Sequence, residues 1–150
     1  MTEARLQFVV DASIVTRWYV PNPPYVVESV LVRNDFEAQI VALTAPSNFR
    51  FEVAAGIHRS LLQRTHRAEH VRQKLADFLS LEIPLAGESE LILEAHDLSI
   101  RYSASFYDSL YLALAQSLDI PFVHADRRLR DSLRGRFPQE LWIEDYPGEV

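Results

Sequence analysis

The stretch Leu6-Gln-Phe-Val-Val-Asp-Ala-Ser-Ile-Val15 decides the fold that we expect for this chain. The run Phe8-Val-Val10 is typical of a buried strand, which ends where Asp11 interrupts the apolar residues. A short helix is expected to follow, and a buried strand that passes into a helix is typical of a parallel α/β sheet. An ionised carboxylate in an apolar setting costs several kcal/mol unless a partner neutralises it. Asp11 is therefore the first candidate functional residue.

Strand-like and helical stretches alternate along the rest of the chain. Short strands are predicted at 40–43, 120–124 and 141–143, with a weak edge strand at 81–85 because Pro84 has no amide hydrogen. Helices are predicted at 25–38, 46–64, 65–79, 87–101 and 105–117 and from Asp126 onward. This order predicts a single α/β domain over residues 1–150, with three layers (α/β/α) and a central parallel sheet.

The composition restricts the classes of function. The chain has no cysteine, which excludes a disulfide framework, a thiolate zinc site and a cysteine nucleophile. The first apolar run is too short for a signal peptide, and Arg, Asp or Glu interrupts each later one. We therefore expect a cytoplasmic protein with no membrane partner.

The cations are distributed unevenly. The formal net charge is −6, and all basic residues except Lys74 are arginines. Five of them fall in one short segment, namely Arg127, Arg128, Arg130, Arg134 and Arg136. Such a cluster can bind phosphate locally while the protein stays acidic elsewhere. The alternative is a solvated helix face that pairs with Asp131.

Three further carboxylates lie in apolar surroundings, namely Glu52, Asp108 and Asp126. Asp11 and Asp126 follow predicted strands, and functional sites of parallel sheets form beyond the carboxyl ends of strands. We expect the four acids to converge. Converged carboxylates repel one another and need cations or protons between them. Ligation by acids alone suits Mg²⁺ or Mn²⁺.

Each of these residues also has a structural explanation. Asp11 and Asp126 are suitable helix N-caps, and Ser105 with Asp108 forms a capping box. Glu52 fits the exposed edge of an apolar helix face. Ser13 can make a local turn hydrogen bond as well as contact phosphate or a water molecule on the metal. The sequence alone leaves both explanations open.

Histidines are expected to contribute little. His66-Arg-Ala-Glu-His70 matches a metalloprotease pattern, but it straddles a predicted helix start among charged residues. His58, His96 and His124 lack metal-ligand spacing and are expected to be ordinary surface or edge residues.

Four segments together carry a family resemblance. They are Val9-Val-Asp-Ala-Ser-Ile-Val15, Phe51-Glu-Val-Ala-Ala55, Tyr107-Asp-Ser-Leu-Tyr-Leu-Ala-Leu-Ala115 and Val123-His-Ala-Asp-Arg-Arg-Leu129. The chain resembles the PIN-domain ribonucleases, and within them the VapC toxins of toxin–antitoxin pairs. The resemblance implies an acidic pocket that binds Mg²⁺ or Mn²⁺. Many relatives have threonine where this chain has His124.

The resemblance implies a metal-dependent endoribonuclease toxin. Asp11, Glu52, Asp108 and Asp126 match the catalytic, metal-binding acids, and Ser13, Arg127, Arg128 and Arg130 are candidates for binding substrate. The implied partners are RNA, a cognate antitoxin and a second copy of the chain. Trp18 and Tyr19 are either interface anchors or core. A catalytically inactive binding module and a nuclease that acts on DNA remain the alternatives.

Overall fold

The computed structural model describes residues 5–63 and 66–146. Its strands are β1 (Leu6–Val10), β2 (Val41–Thr44), β3 (Phe122–His124) and β4 (Glu140–Trp142). Its α-helices are α1 (Ala12–Tyr19), α2 (Val26–Glu37), α3 (Phe49–Arg59), α4 (Ala68–Leu79), α5 (Ile92–Tyr102), α6 (Phe106–Leu118) and α7 (Arg127–Leu133). Short 3₁₀ turns lie at Ser60–Leu62, Ser89–Leu91 and Ile143–Asp145.

The four strands form one parallel sheet in the order β2-β1-β3-β4. The central strand β1 pairs on one side with β2 and on the other with β3, so that Val9 lies between Thr44 and Phe122. This order confirms the predicted α/β class with its parallel sheet. The chain leaves β1 toward β2 and later returns to its other side, which creates a crevice beyond the carboxyl ends of β1 and β3.

The core lies between the sheet and the helices that flank it. Val9 and Val10 of β1 and Phe122 and Val123 of β3 are fully buried, as expected for central strands covered on both faces. Helices α1 to α4 contact one another in one group, whereas α5 packs on α6. Helix α6 is largely buried. Its run of apolar residues from 110 to 115 lies between α5 on one side and strands β1 and β3 on the other.

The predicted edge strand at 81–85 is wrong. Within that segment only Leu85 forms a β-bridge, parallel to Ala45. The carbonyl of Pro84 accepts a hydrogen bond from the amide of Ala45 at 3.2 Å. Since the ring of Pro84 removes its own amide hydrogen, the pairing does not continue as a ladder.

Several helix starts lie later than predicted. Helix α3 begins at Phe49 rather than Pro46. Helix α5 begins at Ile92, after a 3₁₀ turn, rather than at Gly87. Gly87 itself has a left-handed backbone with φ +73°, which is not helical. The predicted boundary between Arg64 and Thr65 lies outside the described residues. In the described part of the chain, no helix is both long and apolar enough to cross a membrane.

Candidate functional site

Asp11 lies at the carboxyl end of β1 and is 6% exposed. It is the N-cap of α1, where its carboxylate accepts a hydrogen bond from the amide of Ser13 at 3.1 Å. Burial raises the pKa of Asp11, although hydrogen bonds from Ser13 oppose this effect. The cap leaves the charge of Asp11 without an ion-pair partner among the described residues.

Glu52 lies in the first turn of α3 and reaches toward the same end of the sheet. The hydroxyl of Tyr111 donates a hydrogen bond to Glu52 Oε1 at 3.0 Å, and the side-chain amide of Asn48 donates to the same oxygen. Burial and then the charge of Asp11 raise the pKa of Glu52 to about 7. The exposed position considered for Glu52 is wrong, because the side chain is half-buried and bonded across the fold.

Asp108 lies in the first turn of α6, where the structure shows one of the two hydrogen bonds of the predicted capping box. The hydroxyl of Ser105 accepts a hydrogen bond from the backbone amide of Asp108 at 3.1 Å. The cap uses the backbone amide of Asp108 rather than its carboxylate. Burial and then the charge of Asp11 raise the pKa of Asp108 to about 6.

Asp126 follows β3 and caps α7. Its Oδ1 atom accepts hydrogen bonds from the amides of Arg128 at 3.0 Å and Leu129 at 3.2 Å. Both N-cap predictions, for Asp11 and for Asp126, are therefore correct. The negative charge of Asp126 also raises the pKa of Asp11 and of Asp108.

The four acids meet beyond the carboxyl ends of β1 and β3. Asp11 raises the pKa values of Glu52 and Asp108, and Asp108 adds to the increase at Glu52. Such mutual effects require the carboxylates to lie near one another. Within residues 5–63 and 66–146, however, no three His, Asp or Glu side chains are arranged to hold a metal ion. The site is a group of carboxylates that raise one another's pKa values rather than a closed ligand cage.

Ser13 connects the two central strands at this site. Its hydroxyl oxygen accepts a hydrogen bond from the amide of Ala125 at 3.2 Å, and its own amide donates to Asp11. The local bond considered for Ser13 is therefore present. Ser13 holds the start of α1 against the end of β3, between Asp11 and Asp126.

His124 differs most from the expectation. It was predicted to be a surface or edge residue, but it is fully buried on β3. Its Nε2 atom lies 2.8 Å from Glu140 Oε2, and its Nδ1 atom lies 3.2 Å from the amide of Asp126. The prediction failed because the partner that allows a polar ring to be buried is Glu140 on the neighbouring strand.

Three other residues at the site were missed. Arg17 lies four residues after Ser13 on α1 and donates to the Ser13 carbonyl at 2.6 Å. The charges of Asp11 and Asp126 act on Arg17, whose pKa is lowered by burial. Tyr111 and Asn48 donate hydrogen bonds to Glu52. Tyr111 lies three residues after Asp108 and Asn48 lies four residues before Glu52, so helical spacing was the signal that could have found them.

Two of the predicted substrate-binding arginines lie over one aromatic ring, and two line a cleft beside Asp126. The guanidinium groups of Arg127 and Arg130 lie over the ring of Trp142, 5.7 and 4.6 Å from its centre. Arg127 also donates to the hydroxyl of Tyr25 at 3.1 Å. A cleft beside the acids, which we call the acid-side cleft, is lined by residues that include Ser13, Arg17, Tyr25, Asp126, Arg127 and Arg128.

Trp18 and Tyr19, the two aromatic residues of α1, both pack against other parts of the fold. Trp18 is buried, and its ring nitrogen donates to the Ser29 carbonyl at 2.7 Å. Tyr19 is half-buried against Phe78. The guanidinium group of Arg33 lies over the rings of Trp18 and Tyr19. The core alternative is correct for Trp18. The histidine pair of the metalloprotease-like motif is not on one helix either, since α4 begins at Ala68, after His66.

Comparison with known proteins agrees with this arrangement. Residues 8–132 match the family model of the PIN domain. This chain belongs to the PIN-domain family. The matched region contains all four acids as well as Ser13 and the three arginines of α7.

Curated relatives of this PIN-domain chain include two proteins named Ribonuclease VapC1, from Mycobacterium tuberculosis strains CDC 1551 / Oshkosh and ATCC 25618 / H37Rv. Each is 32% identical over 85 residues, which cover 57% of this chain and 63% of the relative. The alignment therefore spans less than two thirds of either relative.

Solved structures with the same fold come from other organisms. PAE2754 from Pyrobaculum aerophilum matches with a TM-score of 0.59 and 16% identity, over 94% of this chain and 93% of that one. A toxin–antitoxin complex from Klebsiella pneumoniae matches with a TM-score of 0.56 and 16% identity, over 95% of this chain and 98% of that one. At this identity, the two likenesses establish the fold alone.

Proposed function

We propose that this PIN-domain protein is an Mg²⁺- or Mn²⁺-dependent endoribonuclease and the toxin of a toxin–antitoxin pair. The observation that carries the proposal is the electrostatic coupling of Asp11, Glu52 and Asp108 at the carboxyl end of the sheet. Similarity to proteins named ribonucleases supports RNA as the substrate.

The oxygen donors of this site suit a divalent cation, although no three of the described side chains are already arranged as its ligands. All four candidate ligands are carboxylates, which are hard oxygen donors, and three of them have raised pKa values because of burial and mutual repulsion. Asp11, Glu52 and Asp108 would hold the cation, and Asp126 would do so directly or through water. When bound, the cation supplies positive charge for a phosphate and lowers the pKa of water.

The protein's own residues prepare this site. Tyr111 and Asn48 fix the carboxylate of Glu52, whereas the α1 cap fixes that of Asp11. His124 lies close to Asp126 in the fold, but it is buried with both ring nitrogens engaged, so it is not a general base. Hydrolysis by water needs no side-chain nucleophile, which agrees with the lack of cysteine.

The RNA would approach along the acid-side cleft. Arg127 and Arg128 line this cleft together with Ser13, and Arg130 of the same helix lies over the ring of Trp142. Guanidinium groups pair with phosphate oxygens in two-point contacts, which position a nucleic acid without reading its sequence. We assign Ser13, Arg127, Arg128 and Arg130 to this positioning role.

The proposed role as a toxin includes two protein partners. The fold is shared with a protein in a toxin–antitoxin complex, and the curated relatives carry the VapC name. We propose that a cognate antitoxin covers the acidic pocket with a basic side chain, and that the chain forms a homodimer in the cytoplasm.

The experiment that tests the nuclease is cleavage of total RNA by purified protein with Mn²⁺, Mg²⁺ or EDTA. Attack by water does not use the ribose 2′-hydroxyl, so the products should lack 2′,3′-cyclic phosphates and chelation should stop the reaction. Single-stranded DNA of the same length serves as the second substrate. Cleavage of DNA but not RNA, or cleavage that continues in EDTA and gives cyclic phosphates, would contradict the proposal.

A further inference from the structure

A second cleft lies next to the acid-side cleft, between the carboxyl-terminal ends of α5 and α7. It has a volume of about 670 Å³. Four arginines line it, namely Arg101, Arg128, Arg134 and Arg136, and we call it the arginine cleft. Arg134 and Arg136 belong to the arginine-rich segment but were not among the candidates for binding substrate, and Arg101 lies outside that segment.

The walls of the arginine cleft are held in place by a ring contact and one hydrogen bond. The ring of Tyr102, at the end of α5, packs edge-on against the buried ring of Phe137, with centroids 5.9 Å apart. The hydroxyl of Tyr102 donates to the carbonyl of Arg136 at 3.4 Å. Left-handed residues end both helices, Ser103 with φ 54° after α5 and Arg134 with φ 53° after α7. The cleft therefore lies where the carboxyl-terminal ends of α5 and α7 come together.

The charge of the arginine cleft is not compensated within the fold. None of its four guanidinium groups forms an ion pair with a carboxylate of residues 5–63 or 66–146. Asp131 is the one acidic residue of its lining, so four positive charges face one negative charge. The protein as a whole has a net charge of −6. A concave accumulation of unpaired arginines in an acidic protein is suited to a polyanion.

We propose that the arginine cleft binds the phosphodiester backbone of single-stranded RNA that extends beyond the cleavage site. This inference rests on the proposed nuclease function. Arg128 lines both clefts, so the two are adjacent along the surface. A strand whose scissile phosphate lies at the acids and which runs past Arg128 enters the arginine cleft. An acidic peptide has no such reason to be continuous with the acids, which favours RNA over a protein ligand.

The test compares two triple variants in protein that carries Asp108→Asn, so that RNA is bound but not cut. The first variant replaces Arg101, Arg134 and Arg136 with glutamine, and leaves Arg128 intact because it also serves the acid-side cleft. The matched control replaces Arg59, Arg67 and Arg72, which are exposed and line neither cleft, and which change the net charge equally. A third variant has lysine at the three cleft positions.

Binding of a fluorescent oligouridine RNA is measured by anisotropy over a range of salt concentrations with Mg²⁺ present. Loss of three phosphate contacts should weaken binding at low salt by roughly tenfold and reduce the slope of log affinity against log salt by about 2. The control variant should keep the slope. The lysine variant should keep most of it, which separates loss of charge from loss of folding.

Three outcomes separate this inference from the nuclease proposal. An unchanged slope in the cleft variant overturns the inference, even if wild-type protein cleaves RNA with Mn²⁺. A reduced slope supports the cleft as an RNA site even if wild-type protein cleaves nothing, in which case only the nuclease proposal fails. Binding of a polyglutamate peptide as tight as that of RNA, lost in parallel in the cleft variant, would assign the cleft to acidic proteins and overturn the inference.

Discussion

The Nδ1 atom of His124 accepts a hydrogen bond from the backbone amide of Asp126 at 3.2 Å. A ring nitrogen that accepts carries no proton, so the proton of the neutral imidazole lies on Nε2, which faces Glu140 at 2.8 Å. The ring also stacks on Phe122 with centroids 5.3 Å apart. A fully buried side chain thus positions the backbone that carries one of the four acids.

We expect His124→Ala to destabilise the protein by about 2–4 kcal/mol, because it opens a cavity and leaves the amide of Asp126 without its acceptor. Glu140→Gln keeps an acceptor for Nε2 and is expected to cost much less. Chemical denaturation of both variants checks this. Equal midpoints for His124→Ala and the wild type would show that the buried ring does not support this end of the sheet.

Asp11→Asn and Asp108→Asn are each expected to leave the fold intact and to reduce RNA cleavage by at least about 100-fold, since several kcal/mol of charge stabilisation depend on the cation. Asparagine is as good an N-cap as aspartate, and the Ser105 cap uses the amide of residue 108. Circular dichroism and initial cleavage rates with Mn²⁺ provide the measurement. A variant with the wild-type rate removes its residue from the site.

The stability of the metal-free protein should fall as pH rises from about 4.5 to about 7. Glu52 has an ordinary pKa of 4.5 and a folded value of about 7, and Asp108 has an ordinary pKa of 3.8 and a folded value of about 6. In this window the unfolded chain has released protons that the folded chain still holds, so each rise in pH favours unfolding. Melting curves in EDTA across this range measure the slope.

Glu52→Gln tests the same effect at one residue. Glutamine at this position removes the charge that burial and Asp11 disfavour. At pH 7.5 without metal, we expect its melting temperature to rise by about 2–4 °C, the shift that corresponds to ~1 kcal/mol in a chain of this size. Glu69→Gln is the matched control, because Glu69 also lies in the first turn of a helix but is exposed. A gain as large in the control would attribute the effect to general surface charge.

Manganese should raise the melting temperature of the wild type, since a cation that binds only the folded state stabilises it by mass action. At a concentration 100 times the Kd, the gain is about 2.7 kcal/mol. Asp11→Asn should lose most of this gain, whereas EDTA should abolish it in the wild type. Melting temperatures that do not depend on Mn²⁺ would argue against a cation site at the acids.

Local sequence patterns were sufficient for much of the fold and for the positions of three of the four acids. Asp11 and Asp126 follow apolar strand residues, and Ser105 with Asp108 is a short-range cap, so a few neighbouring residues define each position. What sequence did not predict depends on distant partners. The bond from Tyr111 to Glu52 joins residues 59 positions apart.

The same reason explains the errors. His124 was assigned to the surface because its partner Glu140 lies on another strand, 16 positions later. The arginine cleft needs Arg101 of α5 beside the end of α7, a contact that the clustering of arginines between Arg127 and Arg136 does not reveal. Burial and long-range polar bonds are set by tertiary packing, which overrides local preference.

The growth of cells that express this chain tests the proposed biological role. We expect expression of the wild type alone to slow growth, because RNA cleavage removes transcripts that the cell needs. Asp108→Asn is the matched control: it keeps the cap from Ser105 but loses the carboxylate, so cells that express it should grow normally. Co-expression of a cognate antitoxin should restore growth and should protect RNA from the purified complex.

Slow growth that is equal for the wild type and Asp108→Asn would attribute the effect to expression itself. Harmless expression of folded wild-type protein that still cleaves RNA with Mn²⁺ in vitro would leave the nuclease in place and remove the toxin.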